Sequence, residues 1–410
     1  MKQVIESGSF ERFRQRYLRA GRGEKGHMLD HFCELTECHR KHAVRLLRRR
    51  DAGRPTKSGK RGRKSRYDFP EFIRALKIFY RITDRMCSSL LKGAIPHWMA
   101  AVEKRYGNFS VDVKEKLLAV SARTIERLLC EHKAKFLKSK GGTKPGTILR
   151  TEIPIRQGAW EESRPGFMEC DTVSHGGASM AGQFVWSMTM TDIATHWTEI
   201  RAVWHKAAQG VVDAVKDVES CLPFDLLGFD CDNGGEFING YLIKYLTQDH
   251  PRKNVIQFTR SRANEKNDNA HVEQRNWSHP RQLFFRERLD FYDLVDVMNN
   301  IYSNEFSLLR NHFYPTMKLD HKIMVLSRCR RIYGNAVTPY QRVLSSLSVP
   351  EETKQALQTL HESLDPIELK EKLDAKLKRF WGLLRSLRTQ SYVELDTITE
   401  PVGVSKQTLG

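Results

Sequence analysis

Three acidic residues stand out for what their types and spacing can do together: Asp171, Asp232 and Glu273. Asp171 falls in an apolar, strand-like run from Gly166 to Val173. Asp232 falls where a second apolar run, Leu226 to Cys231, gives way to Asp-Asn-Gly-Gly-Glu-Phe. Glu273 lies about one turn into a helix-forming segment that follows Asn264, Asn267, Asp268 and Asn269, and Asn or Asp at such a junction accepts hydrogen bonds from the open amides of a first turn. A lone glutamate on a helix is ordinarily a solvated surface residue. Three carboxylates on three rigid elements are different, because hard oxygen ligands suit Mg²⁺ (and Mn²⁺) and leave room for water and a substrate phosphate. Two ions sharing such a set activate a water or hydroxyl, stabilise the departing oxygen and balance charge on the phosphorane. In that arrangement Asp171 bridges the ions, Asp232 binds one and Glu273 completes the other, with no histidine base required. Asn233 and Gly234 shape the turn that aims Asp232. Asp230 alternates onto the same face as Asp232 but farther from the strand end, and Asp192 and Glu236 have no claim beyond proximity.

The elements around these residues follow from hydrophobic period and turn signals. Phe167 to Val173, Phe184 to Thr191 and Trp197 to Trp204 are rich in aromatic, β-branched and Met residues and read as strands. Lys206 to Ser220 then reads as a helix, Phe224 to Cys231 as a buried strand, Ile238 to Thr247 as a helix and Val255 to Thr259 as a short strand. Asn269 to Arg288, bent at Pro280, and Tyr292 to Leu308 complete the series as helices. This succession predicts a mixed sheet with helices on its faces and resembles a ribonuclease-H-like domain.

Charge divides the chain. The formal net charge is +19, and residues 1–150 hold 37 Lys and Arg against 15 Asp and Glu, whereas residues 151–410 hold 31 against 34. The first part is suited to binding a polyanion. Three short helices are expected over Phe10 to Ala20, His27 to Leu35 and His39 to Arg50. On the third, Ala43, Val44 and Leu47 face a core while Arg40, Lys41, Arg45, Arg48 and Arg49 remain for DNA, with no acid between Glu37 and Asp51 to offset them. Asp51 to Arg66 reads as a basic linker in which Arg61 and Arg63 can enter a narrow minor groove. A second helix-turn-helix is expected from Val111 onward, with Ser121 as a cap, Ile125, Leu128 and Leu129 inward and Arg123 and Arg127 outward. The eight cysteines form no CxxC pair. Cys33 and Cys38 lie near four histidines without the second half of a zinc site, and core thiols are the simpler account. With no apolar run of about 18 residues and no leader, a reduced cytosolic protein is expected. No phosphate-loop motif suggests a nucleotide cofactor.

The expected organisation is therefore multidomain: an all-α helix-turn-helix region (1–50), a linker (51–66), a second helical DNA-binding domain (67–137), a linker (138–152), an α/β catalytic domain (153–320) and a mostly helical C-terminal tail (321–410). In the tail, Leu357, Leu360, Leu364, Ile367, Leu369, Leu373, Leu377, Phe380 and Leu384 belong to one helical pattern that antiparallel helices or self-association satisfies, and Thr338 to Arg342 is placed to dock back on the catalytic domain.

Asp171 in a first strand, Asp232 in its Asp-Asn-Gly-Gly-Glu-Phe motif and Glu273 in Lys-Asn-Asp-Asn-Ala-His-Val-Glu-Gln-Arg-Asn-Trp together resemble the DDE triad of the retroviral-integrase superfamily. The chain as a whole resembles the integrase-core transposases of bacterial insertion sequences, a likeness that extends to His39 to His42, Ser121 to Ile125 and Thr338 to Tyr340. The resemblance implies binding to element ends, 3′-end cleavage by water, attack of the freed 3′ hydroxyl on target double-stranded DNA, and homo-oligomers on paired ends. Lys266, Arg275 and Arg281 flank Glu273 and are candidates for phosphate contacts. Two rivals remain at this point: a sequence-specific DNA-binding regulator that uses only the basic part, and a ribonuclease-H-like nuclease that cuts without joining.

Overall fold

The computed structural model describes residues 8–48, 66–130, 164–231, 237, 239–252, 256–260, 270–325 and 328–399. The chain falls into two compact units, residues 1–65 and 66–410. The first holds α1 (Gly8–Arg19), α2 (Arg22–Thr36) and α3 (Arg40–Arg48). Their apolar stripes meet around Tyr17, Met28, Leu29, Phe32, Ala43 and Leu47, which fixes the inward face of α3 as its spacing predicts.

In the second unit, α4 (Pro70–Ile82), α5 (Ser88–Tyr106), α6 (Val111–Ala119) and α7 (Ala122–Leu129) precede the sheet. Ser121 caps α7 by accepting from the Thr124 amide at 3.2 Å, and Ile125 and Leu129 are buried. Strands β1 (Phe167–Ser174), β2 (Val185–Asp192) and β3 (Thr198–Trp204) are joined by short turns and pair antiparallel. After α8 (Ala208–Cys221) the chain returns as β4 (Gly228–Cys231), parallel to β1. After α9 (Gly240–Lys244), which runs on into a π-helical turn (Tyr245–Asp249), it returns as β5 (Gln257–Arg260), parallel to β4. The order across the five-stranded sheet is β3-β2-β1-β4-β5. A parallel return needs a crossover long enough for a helix, whereas the antiparallel pairs close with turns.

Met168, Cys170, Met188, Met190, Phe229 and Cys231 project to one face and pack on α8 and α9. Against the other face lie α10 (Ala270–Ser278), which crosses β1 and β2, α11 (Pro280–Phe284), α12 (Leu294–Ile301), a π-helical turn (Tyr302–Phe306) and α13 (Ser307–Phe313). The break between α10 and α11 at His279 and Pro280 is the bend expected at that proline.

The tail is mostly helical, as expected, but a hairpin of β6 (Leu319–Val325) and β7 (Arg328–Tyr333) precedes α14 (Pro339–Ser345), α15 (Glu351–Ser363) and α16 (Pro366–Thr399). Segments 67–137, 153–320 and 321–410 fall in one compact unit and share a second core beside the one between the sheet, α8 and α9. Side chains from α4–α7, the β2–β3 edge, α11–α13 and α16 form one continuous cluster that includes Phe72, Trp98, Phe284, Phe306 and Phe380. Trp98 fastens the join, donating to the Phe313 carbonyl at 3.1 Å. Residues Thr338 to Arg342 do dock on the sheet side: Arg342 donates to the Thr195 and Thr316 carbonyls at 3.2 and 2.6 Å. No helix among the described residues is long and apolar enough to cross a membrane.

Candidate active site

Asp171 is half-buried in the middle of the central strand β1. Its Oδ1 accepts from the Thr172 amide at 2.7 Å and its Oδ2 from the Asn276 side-chain amide of α10 at 2.6 Å. Two residues earlier on the same face, Glu169 is 1% exposed and accepts from the Val272 amide, at the start of α10, at 3.2 Å. A carboxylate at that position answers one of the open amides of a first helical turn and favours its dipole. Helix α10 is thus fastened to β1 at both ends of the span 272–276, and residue 273 lies inside that span.

The β1–β4 register pairs Glu169 with Asp230 and Cys170 with Cys231, where the described part of β4 ends. Asp232 is the next residue and lies outside the described residues, as does the side chain of Glu273. Of the three expected ligands, then, Asp171 is placed directly and Glu273 by its backbone in α10. Asp230 is fully buried and accepts from the Thr259 hydroxyl at 2.5 Å, in keeping with its place deeper in the strand. Asp192 is buried and structural, accepting from the Thr195 amide and hydroxyl at 2.7 and 2.6 Å. His175, the histidine nearest to Asp171 in sequence, is neutral: burial and then Arg281 pull its pKa down to about 3. Its Nε2 lies 2.8 Å from the Ser187 hydroxyl, which contacts the Tyr302 hydroxyl. Asp171 offers the hard oxygen donors that Mg²⁺ prefers, oriented by a second residue as metal-binding carboxylates usually are. Among the described residues no group of three or more His, Cys, Asp or Glu side chains is gathered to hold a metal ion.

The expected DNA contacts divide by exposure. Lys41, Arg45 and Arg48 are exposed on α3, and Arg123 and Arg127 on α7. Arg40 is exposed too, but pairs with Asp30 of α2, so α3 is not wholly without counter-charge as its own sequence suggests. Arg49, Arg61, Arg63 and Lys266 lie outside the described residues. Arg275 departs from expectation. It is 8% exposed and lines a pocket with Ser278, His279 and Arg310, so it is not on the outer surface. Its helical phase carries the explanation: with Val272, His279 and Leu283 it forms the stripe of α10 and α11 that faces inward, and all four are buried. Glu169 and Asn276 were readable by similar means. The first alternates with Asp171 on β1, and the second lies one turn beyond Glu273.

No protein-family model matches this chain. It is similar to a protein of Sinorhizobium fredii described as "Uncharacterized protein y4rM", with 36% identity over 335 residues that span 80% of this chain and 92% of that protein.

Proposed function

We propose that this chain, which belongs to the family of the Sinorhizobium fredii protein y4rM, is a DNA transposase with a ribonuclease-H-like catalytic core of the DDE type. The order β3-β2-β1-β4-β5, with β1 antiparallel to β2 and parallel to β4, supports that core. The observation that carries the reading is the fastening of α10 to β1: Glu169 to Val272 and Asp171 to Asn276 hold the helix that contains Glu273 across the strand that contains Asp171.

On this reading Asp171, Asp232 and Glu273 hold Mg²⁺. When bound, such ions lower the pKa of an attacking water or 3′ hydroxyl and offset charge on the phosphodiester. The protein's own part is positional. Asn276 fixes the orientation of the Asp171 carboxylate, Glu169 sets the height of α10 on the sheet, and the exposed cations of α3 and α7 bind duplex phosphates. The products are a cleaved element end and, after attack by its 3′ hydroxyl, a joined target strand.

The test uses the purified chain with labelled duplexes from the DNA that flanks its coding region, in Mg²⁺ or Mn²⁺. Nicked and joined products are expected from the wild type, and none above background from Asp171→Asn, which still binds DNA in a salt-dependent way. Binding by the wild type without any nicking or joining favours a DNA-binding regulator. Cutting without joining favours a nuclease.

A further inference from the structure

Arg275 neighbours Asn276 in sequence, but about 100° around the helix it serves a different space. Its Nε is buried without a hydrogen-bond partner, and among the described residues no carboxylate or carbonyl takes its guanidinium. It faces a cavity of about 450 Å³ walled by α10, α11, α13, the α4–α5 connection and the β2–β3 turn. Arg310 lines the same cavity, its guanidinium 4.1 Å from the centre of the Tyr314 ring and its Nε likewise buried without a partner. Arg342 stands behind the wall, held by the Thr195 and Thr316 carbonyls.

Among the described residues no carboxylate answers Arg275 or Arg310; Arg310 donates only to the neutral Gln282 Oε1, at 3.4 Å. The lining carboxylate Asp84 already accepts from the Tyr314 hydroxyl at 2.7 Å and pairs with Lys370 at 3.0 Å. His279 carries no charge, its pKa driven well down by burial and then by Arg310 and Arg275. A buried guanidinium such as that of Arg275, with no counter-charge, is costly unless an anion completes it.

We propose that this cavity is a binding site for a phosphate group, held by Arg275 and Arg310 with Arg342 adding to the field from behind. The planar donor fork of arginine matches a tetrahedral oxyanion. The volume exceeds that of one phosphate and lies in the range of about 300–1,000 Å³ usual for small-molecule sites, so it admits a phosphate carried on a strand end as well as the free ion. This inference rests on the cavity and is independent of the carboxylate site.

Calorimetric titration and thermal melts of the full chain test it with three probes: inorganic phosphate, a short 5′-phosphorylated oligodeoxynucleotide and the same oligonucleotide without the phosphate. A phosphate-bearing probe is expected to raise Tm by a few degrees, and tighter binding of the phosphorylated strand than of the free ion assigns a strand end, the reverse the free ion. Arg275→Met is expected to melt higher than wild type without ligand, because an unanswered buried charge is removed, and to lose the phosphate-dependent rise. Arg310→Gln, at a partly exposed position, keeps the fold and weakens binding about tenfold or more. No response of the wild type to either phosphate probe, or a response equal in wild type and Arg310→Gln, overturns the proposal. So does an Arg275→Met protein that melts lower yet responds to phosphate unchanged.

Discussion

Asp192 closes the turn after β2, taking the Gly166 amide at 2.7 Å and the Thr195 amide and hydroxyl. Burial raises its pKa from 3.8 to about 6 against the pull of those hydrogen bonds. The folded state therefore holds this proton more tightly than the unfolded chain does. Stability falls as pH rises from about 4 to about 6 and levels off above, by at most about 3 kcal/mol. Asp192→Asn keeps the side-chain shape, so its melting temperature followed from pH 4 to 7 is expected to lack that decline; curves that run parallel to wild type contradict it. At this scale the sequence was partly legible. The place of Asp171 on a strand was readable because it interrupts a strand-like apolar run, whereas the turn-closing bonds of Asp192 join residues that the sequence does not show to be neighbours. Arg275 was misplaced at the surface because a basic residue beside a catalytic candidate suggests an exposed contact with duplex DNA, whereas its phase with Val272, His279 and Leu283 turns it inward.

Helix α10 is the element on which the site depends, and its position on β1 rests on two side chains, Glu169 and Asn276. A residue that orients a metal-binding carboxylate typically contributes about 10- to 100-fold in activity or metal affinity. Asn276→Ala is therefore expected to slow cleavage by that factor while the melting temperature changes little; a variant as active as wild type would remove Asn276 from this role. Helix α3 carries the other element-level expectation. Replacing Lys41, Arg45 and Arg48 together by Ala should weaken DNA binding and reduce the slope of log affinity against log salt by roughly 0.9 per lost phosphate contact, measured by fluorescence anisotropy, and an unchanged slope places the DNA elsewhere. The strands and α10 were legible because period-2 and period-3.6 patterns were bounded by clear turn signals. The β6–β7 hairpin was not, since its strands carry exposed charged residues such as Asp320, Arg330 and Arg331 in place of an apolar run.

The whole molecule is organised as a small basic three-helix unit and a larger unit in which helices from both ends of the chain complete the core beside the sheet. Sequence reading divided that larger unit into separate domains because an amphipathic stripe reveals which face is buried but not its partner: Trp98 and Phe380, far apart in the chain, belong to one cluster. The same limit applies to the proposed site: Asp171 and residue 273 are far apart in sequence, and the pattern of each element alone does not reveal that α10 crosses β1. Convergence of the three proposed ligands is the central claim, and metal-directed backbone cleavage measures it most directly. With Fe²⁺ substituted for Mg²⁺ in the presence of ascorbate and peroxide, hydroxyl radicals cut the chain next to the bound ion. Fragments ending close to residues 171, 232 and 273, suppressed together by excess Mg²⁺ and absent in Asp171→Asn, are predicted. Cuts confined to one of the three positions, or unaffected by Mg²⁺, would contradict a shared metal site.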